Sequence, residues 1–297
     1  EYYYIYPDAV STRKQILHSN RLHHEWQETI VLHQPGTRPE ENMELDALTW
    51  GNTAGEAKTY TWKRGEHDDG KLRDATIQIV NLKSKNRPFI IFEPDSGLKL
   101  MRCCVEEQWC HFPWWNHWPV SQLPNDGRRT GVPDRPAHSS LAQSIEDSPI
   151  IKHDKEAGTF TAVSLYGMSE KSVVGLVPLA KSWNYPAKLN LAGNSFCSQG
   201  YDKYQRAYVL TCKNNGNPST LKFKLAASED SPVVNPAFVI KGWGEGEAGL
   251  KVNGKPVKCG KSFRFGYRHT LESSDLIVWL KKETAEPVRI SLSPRGD

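Results

Sequence analysis

The sequence predicts an all-β protein, built as a large antiparallel β-sandwich of the jelly-roll or super-sandwich type. Three observations carry this expectation. Short segments rich in Val, Ile, Phe, Tyr and Trp recur along the chain. Gly, Pro, Asn and Asp punctuate them. No long stretch shows the apolar period of an amphipathic helix.

The elements follow in order. "ATIQIVNL" (75–82) alternates apolar and polar residues, as a half-buried strand does. "RPFIIFEP" (87–94) and "GLKLMRCC" (97–104) continue the series. "SLAQSIED" (140–147) has the composition for one or two helical turns. "GTFTAVSLYGM" (158–168) and "SVVGLVPLA" (172–180) read as strands, as do "AYVLTCK" (207–213), "TLKFKLAA" (220–227) and "AFVIKGW" (237–243). "DLIVWLKK" (275–282) and "VRISLSP" (288–294) close the set. Within "LKVNGKPVK" (250–258), Asn-Gly between extended segments signals a tight hairpin. A chain of 297 residues is long enough for one large core or two small ones. Strand signals lie on both sides of every candidate break, so residues 1–297 are taken as a single sandwich, with a seam near 183–200.

Composition narrows the class. Hydrophobic residues make up 38% and charged residues 24%, the balance of an ordinary globular protein. No run of apolar residues is long enough for a membrane-spanning helix. The chain opens on Glu1 with no leader-like apolar stretch, which reads as a processed boundary or one within a longer chain. The net charge of +4 permits an anionic partner and does not argue for nucleic acid, which would want a dense basic stripe. The basic residues read as scattered, apart from Arg128, Arg129 and Arg135.

Six cysteines show no Cys-x-x-Cys spacing. Cys103, Cys104, Cys110 and His111 cluster without a recognisable metal-ligand pattern, so buried thiols or a disulfide are favoured. Cys197 and Cys212 lie on two strand-like segments and are candidates to pair across a hairpin. The cysteine content leans towards an oxidising compartment.

One segment stands apart. "CHFPWWNHWPVSQLPNDGRRTGVPDRPAHSS" runs from Cys110 to Ser140 with five prolines and no regular period. A loop of this length without regular structure is uncommon and is usually functional or disordered. Trp109, Trp114, Trp115 and Trp118 argue against disorder, since indole rings want burial or a ligand. Trp114, Trp115 and Trp118 suit stacking on the apolar faces of sugar rings, or packing of the loop onto the sandwich. Asn116, His117, Asp126, Arg128, Arg129, Asp134, Arg135 and His138 supply the charge and proton chemistry. Imidazole titrates near neutrality, so His117 or His138 is a candidate base. The guanidinium of Arg forms a fork for a carboxylate or sulfate, with Arg129 among the binding candidates. Asp126 and Asp134 also suit turn capping.

No nucleophile elbow, phosphate loop, zinc-protease helix or dinucleotide fingerprint is present. The residue set fits β-elimination from a uronic acid. There, Asn116 with Arg128 or Arg135 neutralises the sugar carboxylate and so acidifies the adjacent proton. His117 or His138 removes that proton, and Tyr166, Tyr201 or Tyr204 assists the leaving oxygen.

The stretches "WWNHWPVSQLPNDGR…DRPAHSS", "YIYPDAVSTRKQILHS…HEWQETIVLHQPGTRPE" and "FRFGYRHTLESSDLIVWLKKE" together resemble β-sandwich proteins of polysaccharide-degrading bacteria, of the polysaccharide-lyase type. The resemblance covers most of the chain and matches no catalytic signature. It implies a large sandwich, an extracellular or periplasmic site of action and a glycan ligand.

Other stretches weigh less. His23, His24, Glu25, Glu28, His33 and Arg38 suit the second wall of a cleft or an exposed polar edge. Arg268 and His269, adjacent on a strand, point to opposite faces, one to solvent and the other packed or paired. Lys63, Arg64, Glu66, His67, Asp68 and Asp69 read as a solvated turn. The expected function is therefore action on an acidic polysaccharide, by elimination. The alternatives are a non-catalytic glycan-binding domain of a larger enzyme, a glycoside hydrolase, or a metal-dependent hydrolase using His117, His138 and an aspartate. No cofactor is expected, with a structural divalent cation such as calcium left open. Expected partners are an acidic polysaccharide or oligosaccharide and other domains of a longer chain, with no nucleic acid and no membrane span.

Overall fold

The computed structural model of the chain describes residues 1–19, 28–34, 37, 39–61, 72–94, 98–100, 114–115, 137–145 and 152–294. Strands β1 (Tyr2–Ile5), β2 (Val10–His18) and β3 (Glu28–His33) precede one helical turn, α1 (Pro39–Asn42). Next come β4 (Met43–Gly51), β5 (Ala57–Tyr60), β6 (Ile77–Leu82), β7 (Arg87–Ile91) and β8 (Leu98–Leu100). They lead to β9 (Trp114–Trp115), β10 (Ala137–Ile145), β11 (Lys152–Asp154), β12 (Thr159–Ser169) and helix α2 (Val173–Asn184). The second half holds β13 (Lys188–Ala192), β14 (Phe196–Asp202), β15 (Ala207–Cys212), β16 (Leu221–Ala226), β17 (Val233–Val234) and β18 (Ala237–Lys241). It ends with β19 (Ala248–Val252), β20 (Lys255–Val257), β21 (Phe263–His269), β22 (Ser274–Leu280), β23 (Glu283–Thr284) and β24 (Val288–Pro294). The chain is all-β.

Its contacts cluster into two compact units. One is built from residues 14–177, and the other from residues 2–13 and 178–297. The sequence predicts one unit with a seam near 183–200. The boundary between the two clusters falls inside α2, between Val177 and Pro178.

In the first unit the main sheet runs β2-β12-β7-β6-β4-β5, with β11 also against β12. Its core includes Met43, Leu48, Trp50, Tyr60, Val80, Ile90, Phe92 and Phe160. Tyr60 meets Trp50 edge-on, with ring centroids 4.7 Å apart. Gln78 is fully buried beside them and accepts a hydrogen bond from Trp50 Nε1 at 2.8 Å, which offsets its desolvation. A smaller sheet runs β3-β10-β8, with β9 also on β10.

Two local expectations are corrected here. Of the expected helical stretch, residues 140–145 do not form helical turns: they lie in β10, which pairs with β3, β8 and β9, and 146–147 lie outside the described residues. Cross-strand hydrogen bonds outweigh a weak local preference. Residues 172–180 do not form a strand, because 173–184 make α2. The Ser172 hydroxyl caps it by accepting from Gly175 N at 3.3 Å. Val173, Leu176, Leu179, Ala180 and Trp183 are buried at helical spacing. Pro178 sits inside this helix and removes one backbone donor.

The second unit is a β-sandwich. Sheet β13-β16-β24-β19-β20 packs on sheet β14-β15-β18-β22-β21. The shared core takes Leu221, Phe223 and Leu225 from β16 and Val288, Ile290 and Leu292 from β24. From the facing sheet it takes Tyr208, Leu210, Phe238, Ile240, Leu276 and Val278. The β15–β18 pair is parallel and is buried on both faces. Its outer residues Ala207, Val209, Ala237 and Val239 form a second small cluster with Tyr6 and Ile277. The outer side of β15 and β18 is thus packed by Tyr6, and among the described residues the other sheet keeps an exposed outer face.

Candidate functional site

That exposed face belongs to β13-β16-β24-β19-β20, and strict alternation decides what it carries. In "LKFKLA" (221–226), Leu221, Phe223 and Leu225 point into the core, so Lys222 and Lys224 point out. In "VRISLSP" (288–294), Val288, Ile290 and Leu292 point in, and Arg289 and Ser291 point out. The same rule turns Lys188, Asn190 and Ala192 outward from β13 and Lys251 outward from β19.

Registry then sets their neighbours. Ala192 lies opposite Lys222, Lys222 opposite Ser291, Ser291 opposite Lys251, and Lys251 opposite Pro256. A second row runs from Asn190 through Lys224 to Arg289. Arg289 N donates to Asn253 Oδ1 at 2.8 Å, which ties this row to the β19–β20 turn. Between the basic side chains lies a groove of about 310 Å³, lined in part by Asn190, Ala192, Ser291 and Gly254. Small residues leave its floor open, and the lysine stems supply apolar walls.

The electrostatics are one-sided. Lys188, Lys222, Lys224, Lys251 and Arg289 are exposed, and no ion pair among the described residues engages any of them. The outward residues of the face include no Asp or Glu. Residues 178–297 hold 18 Lys and Arg against 10 Asp and Glu, a net +8, within a chain whose total is +4. Like charges on neighbouring strands repel, so an anion laid across them relieves strain as well as gaining attraction.

The second unit also holds a buried polar centre around Arg206, Asp8 and Asn235, beside Tyr201. Its cavity is about 20 Å³, room for one water and not for a sugar.

None of the sequence-expected site residues is among the outward residues of this face. Asn116, His117, Trp118, Arg128, Arg129 and Arg135 lie outside the described residues, as do Asp126 and Asp134. So do Cys103, Cys104, Cys110, His111, His23, His24, Glu25, Arg38 and the stretch 63–69. The structure does bring two of the expected residues together. Trp115 of β9 is the register partner of His138 of β10, and Trp114 is the partner of Ser139. On the other side of β10, His138 is opposite Leu32 and Ala137 is opposite His33.

The candidate tyrosines do not gather. Tyr166 is half-buried against the core of the first unit. Tyr201 packs edge-on against Tyr208 in the second, with centroids 5.0 Å apart, and burial pushes its phenol well above the usual range. Tyr204 serves through its backbone carbonyl, which accepts from Thr12 Oγ1 at 2.5 Å.

Arg268 and His269 divide as expected. Arg268 donates to buried Asp275 at 2.8 Å, and His269 is exposed. His269 Nδ1 lies 2.8 Å from Ser274 Oγ and 3.8 Å from Glu245. Both neighbours meet the same ring nitrogen, so this trio cannot relay a proton from serine to carboxylate.

The candidate pairing of Cys197 with Cys212 is overturned. Cys197 is opposite Thr211 and Cys212 opposite Phe196, so the two cysteines are one register step apart. Cys197 is exposed, Cys212 is buried, and both are free thiols. Among the described residues no three His, Cys, Asp or Glu side chains converge as metal ligands. Among them, too, no helix is long and apolar enough to cross a membrane.

The basic face was missed because its residues were read as scattered along the chain. The alternation in "KLNLA", "LKFKLA" and "VRISLSP" was the available signal for which of them face outward. No protein family, characterised protein or solved structure matches the chain.

Proposed function

We propose that the protein binds an anionic polysaccharide, a uronic-acid-containing glycan, on the outer face of β13-β16-β24-β19-β20. One observation carries the reading: five exposed cations share one sheet face with no carboxylate among them and no ion-pair partner among the described residues. Carboxylates or sulfates spaced along a glycan match such a surface, and Asn190 and Ser291 suit its hydroxyls. The face has no outward aromatic ring, so neither a base nor a sugar ring stacks there, and recognition rests on charge and hydrogen bonds. An extracellular or periplasmic site of action and a place beside other domains of a longer chain go with this reading.

A second reading is elimination chemistry at the Trp-rich segment. The register pairing of Trp115 with His138 supports it, since these two residues are a candidate sugar platform and a candidate base.

Calorimetry of the protein against polygalacturonate, alginate, hyaluronan and heparin at low salt tests the first reading. The expected result is binding that weakens steeply as salt rises. No heat with any of the four would end it. Near-ultraviolet absorbance in the same mixtures tests the second, since elimination creates a double bond conjugated to the carboxylate. An absorbance rise lost in both His117→Ala and His138→Ala would establish the lyase, and a flat trace would leave binding alone.

A further inference from the structure

The face is patterned. Along one row, basic and small residues alternate across four strands in the order Ala192, Lys222, Ser291, Lys251. Lys222 and Lys251 are therefore two strands apart, roughly 10 Å at the usual strand spacing. That is about the length of a disaccharide. Ser291 lies between them, with a hydroxyl in place of a charge. Lys224 and Arg289 form a second line, two residues along the strands and about 7 Å away. Lys188 stands off both rows, opposite Ala226 on edge strand β13.

We infer that the glycan lies across the strands, perpendicular to them, and presents one acidic group per disaccharide to the sheet, seated on Lys222 and Lys251. This rests on the glycan-binding reading above and adds a direction and a charge repeat to it. The intervening sugar sits over Ser291, and the next sugar, beyond Lys222, sits over Ala192, where no bulky side chain stands in its way. Lys224 and Arg289 flank the chain and take a second acidic group or a carbonyl on its edge. A chain running along the strands would instead meet Lys222 and Lys224, with Lys251 lying to one side.

The test separates a registered row from a diffuse basic surface. Hyaluronan carries one carboxylate per disaccharide and is the probe. Lys222→Glu, Lys251→Glu and Lys188→Glu each change the net charge equally. All three positions are exposed, so folding is expected to survive, and matching thermal unfolding of the variants checks this. Lys222→Gln and Lys251→Gln serve if either reversal disturbs it.

Lys222→Glu and Lys251→Glu are each expected to weaken hyaluronan binding by about tenfold or more, and Lys188→Glu by about threefold or less. Equal losses in all three overturn the row and leave a diffuse basic surface. Binding of polygalacturonate with none of hyaluronan overturns the charge repeat. Failure of the unaltered protein to bind any acidic glycan removes the underlying function itself, a result distinct from either of these.

Discussion

Arg206 and Asp8, 198 residues apart in sequence, form a buried ion pair with Nη2 and Oδ2 2.5 Å apart. Their side chains are 3% and 9% exposed. Asp8 Oδ2 also accepts from Asn235 Nδ2 at 3.2 Å, and its Oδ1 accepts from Val10 N at 3.3 Å. The guanidinium lies 5.2 Å from the Tyr6 ring centroid and also donates to the Asn235 carbonyl at 3.2 Å. Residues 2–13 belong to the second unit through this centre, although the rest of that unit begins at Pro178.

Asp8→Ala leaves Arg206 buried without its counter-charge. The expected loss is about 3–5 kcal/mol, the usual cost of breaking one side of a buried pair. Chemical denaturation followed by tryptophan fluorescence measures it. A loss below about 1 kcal/mol would mean water reaches the guanidinium and the pair is not structural.

The second unit should weaken in alkali as its buried tyrosines are forced to ionise. Burial raises the Tyr6 phenol to about 12, and it raises Tyr201 and Tyr208 further. A phenol that ionises only with difficulty in the folded state contributes stability that is complete below pH 10. That stability is lost as pH rises from there through the folded value. Each such tyrosine removes up to about 1.4 kcal/mol per pH unit in that window. Unfolding midpoints between pH 9 and 12 should fall accordingly, with phenolate absorbance appearing together with unfolding. Free ionisation of every tyrosine near pH 10, with the fold intact, would refute the burial argument.

Gly51 is tightly constrained by α2. A Cβ there would overlap Val173 Cγ1, and the φ of Gly51 is not in the left-handed region, so the constraint is steric. Gly51→Ala is expected to cost about 1–3 kcal/mol. Adding Val173→Ala should recover part of the loss, which a double-mutant cycle reads directly. Simple additivity would place the strain elsewhere.

Thiol labelling should follow exposure. Cys197 and Cys259 are expected to react in the folded protein, and Cys212 only on unfolding, because burial both hides its thiol and raises its pKa. Peptide mapping after alkylation gives the answer. A Cys197–Cys212 crosslink in the map would contradict the β14–β15 register.

Much of the second unit was legible from its sequence, because period-two alternation is a local property. "LKFKLA" and "VRISLSP" state which side chains go in and which go out, whatever the strands pair with. The Asn253-Gly254 turn was equally local: both residues have positive φ, 49° and 81°, as a two-residue hairpin loop requires. The first unit was less legible. "SVVGLVPLA" fits a strand and a helix equally by composition, and the Ser172 cap with burial of Trp183 resolved it towards α2.

The sequence by itself determined the all-β class, the inward and outward sides of the main strands, and the gathering of Trp, His and Arg between 110 and 140. Tertiary structure alone decided that β13, β16, β24 and β19 are neighbours, which turns five cations spread over 102 positions into one face. It alone decided that Arg206 meets Asp8, and that Cys197 and Cys212 miss each other by one step of register. The reason is physical. Alternation is enforced by each residue's own backbone geometry, whereas strand order is set by which distant segments can bury a common core and satisfy each other's hydrogen bonds.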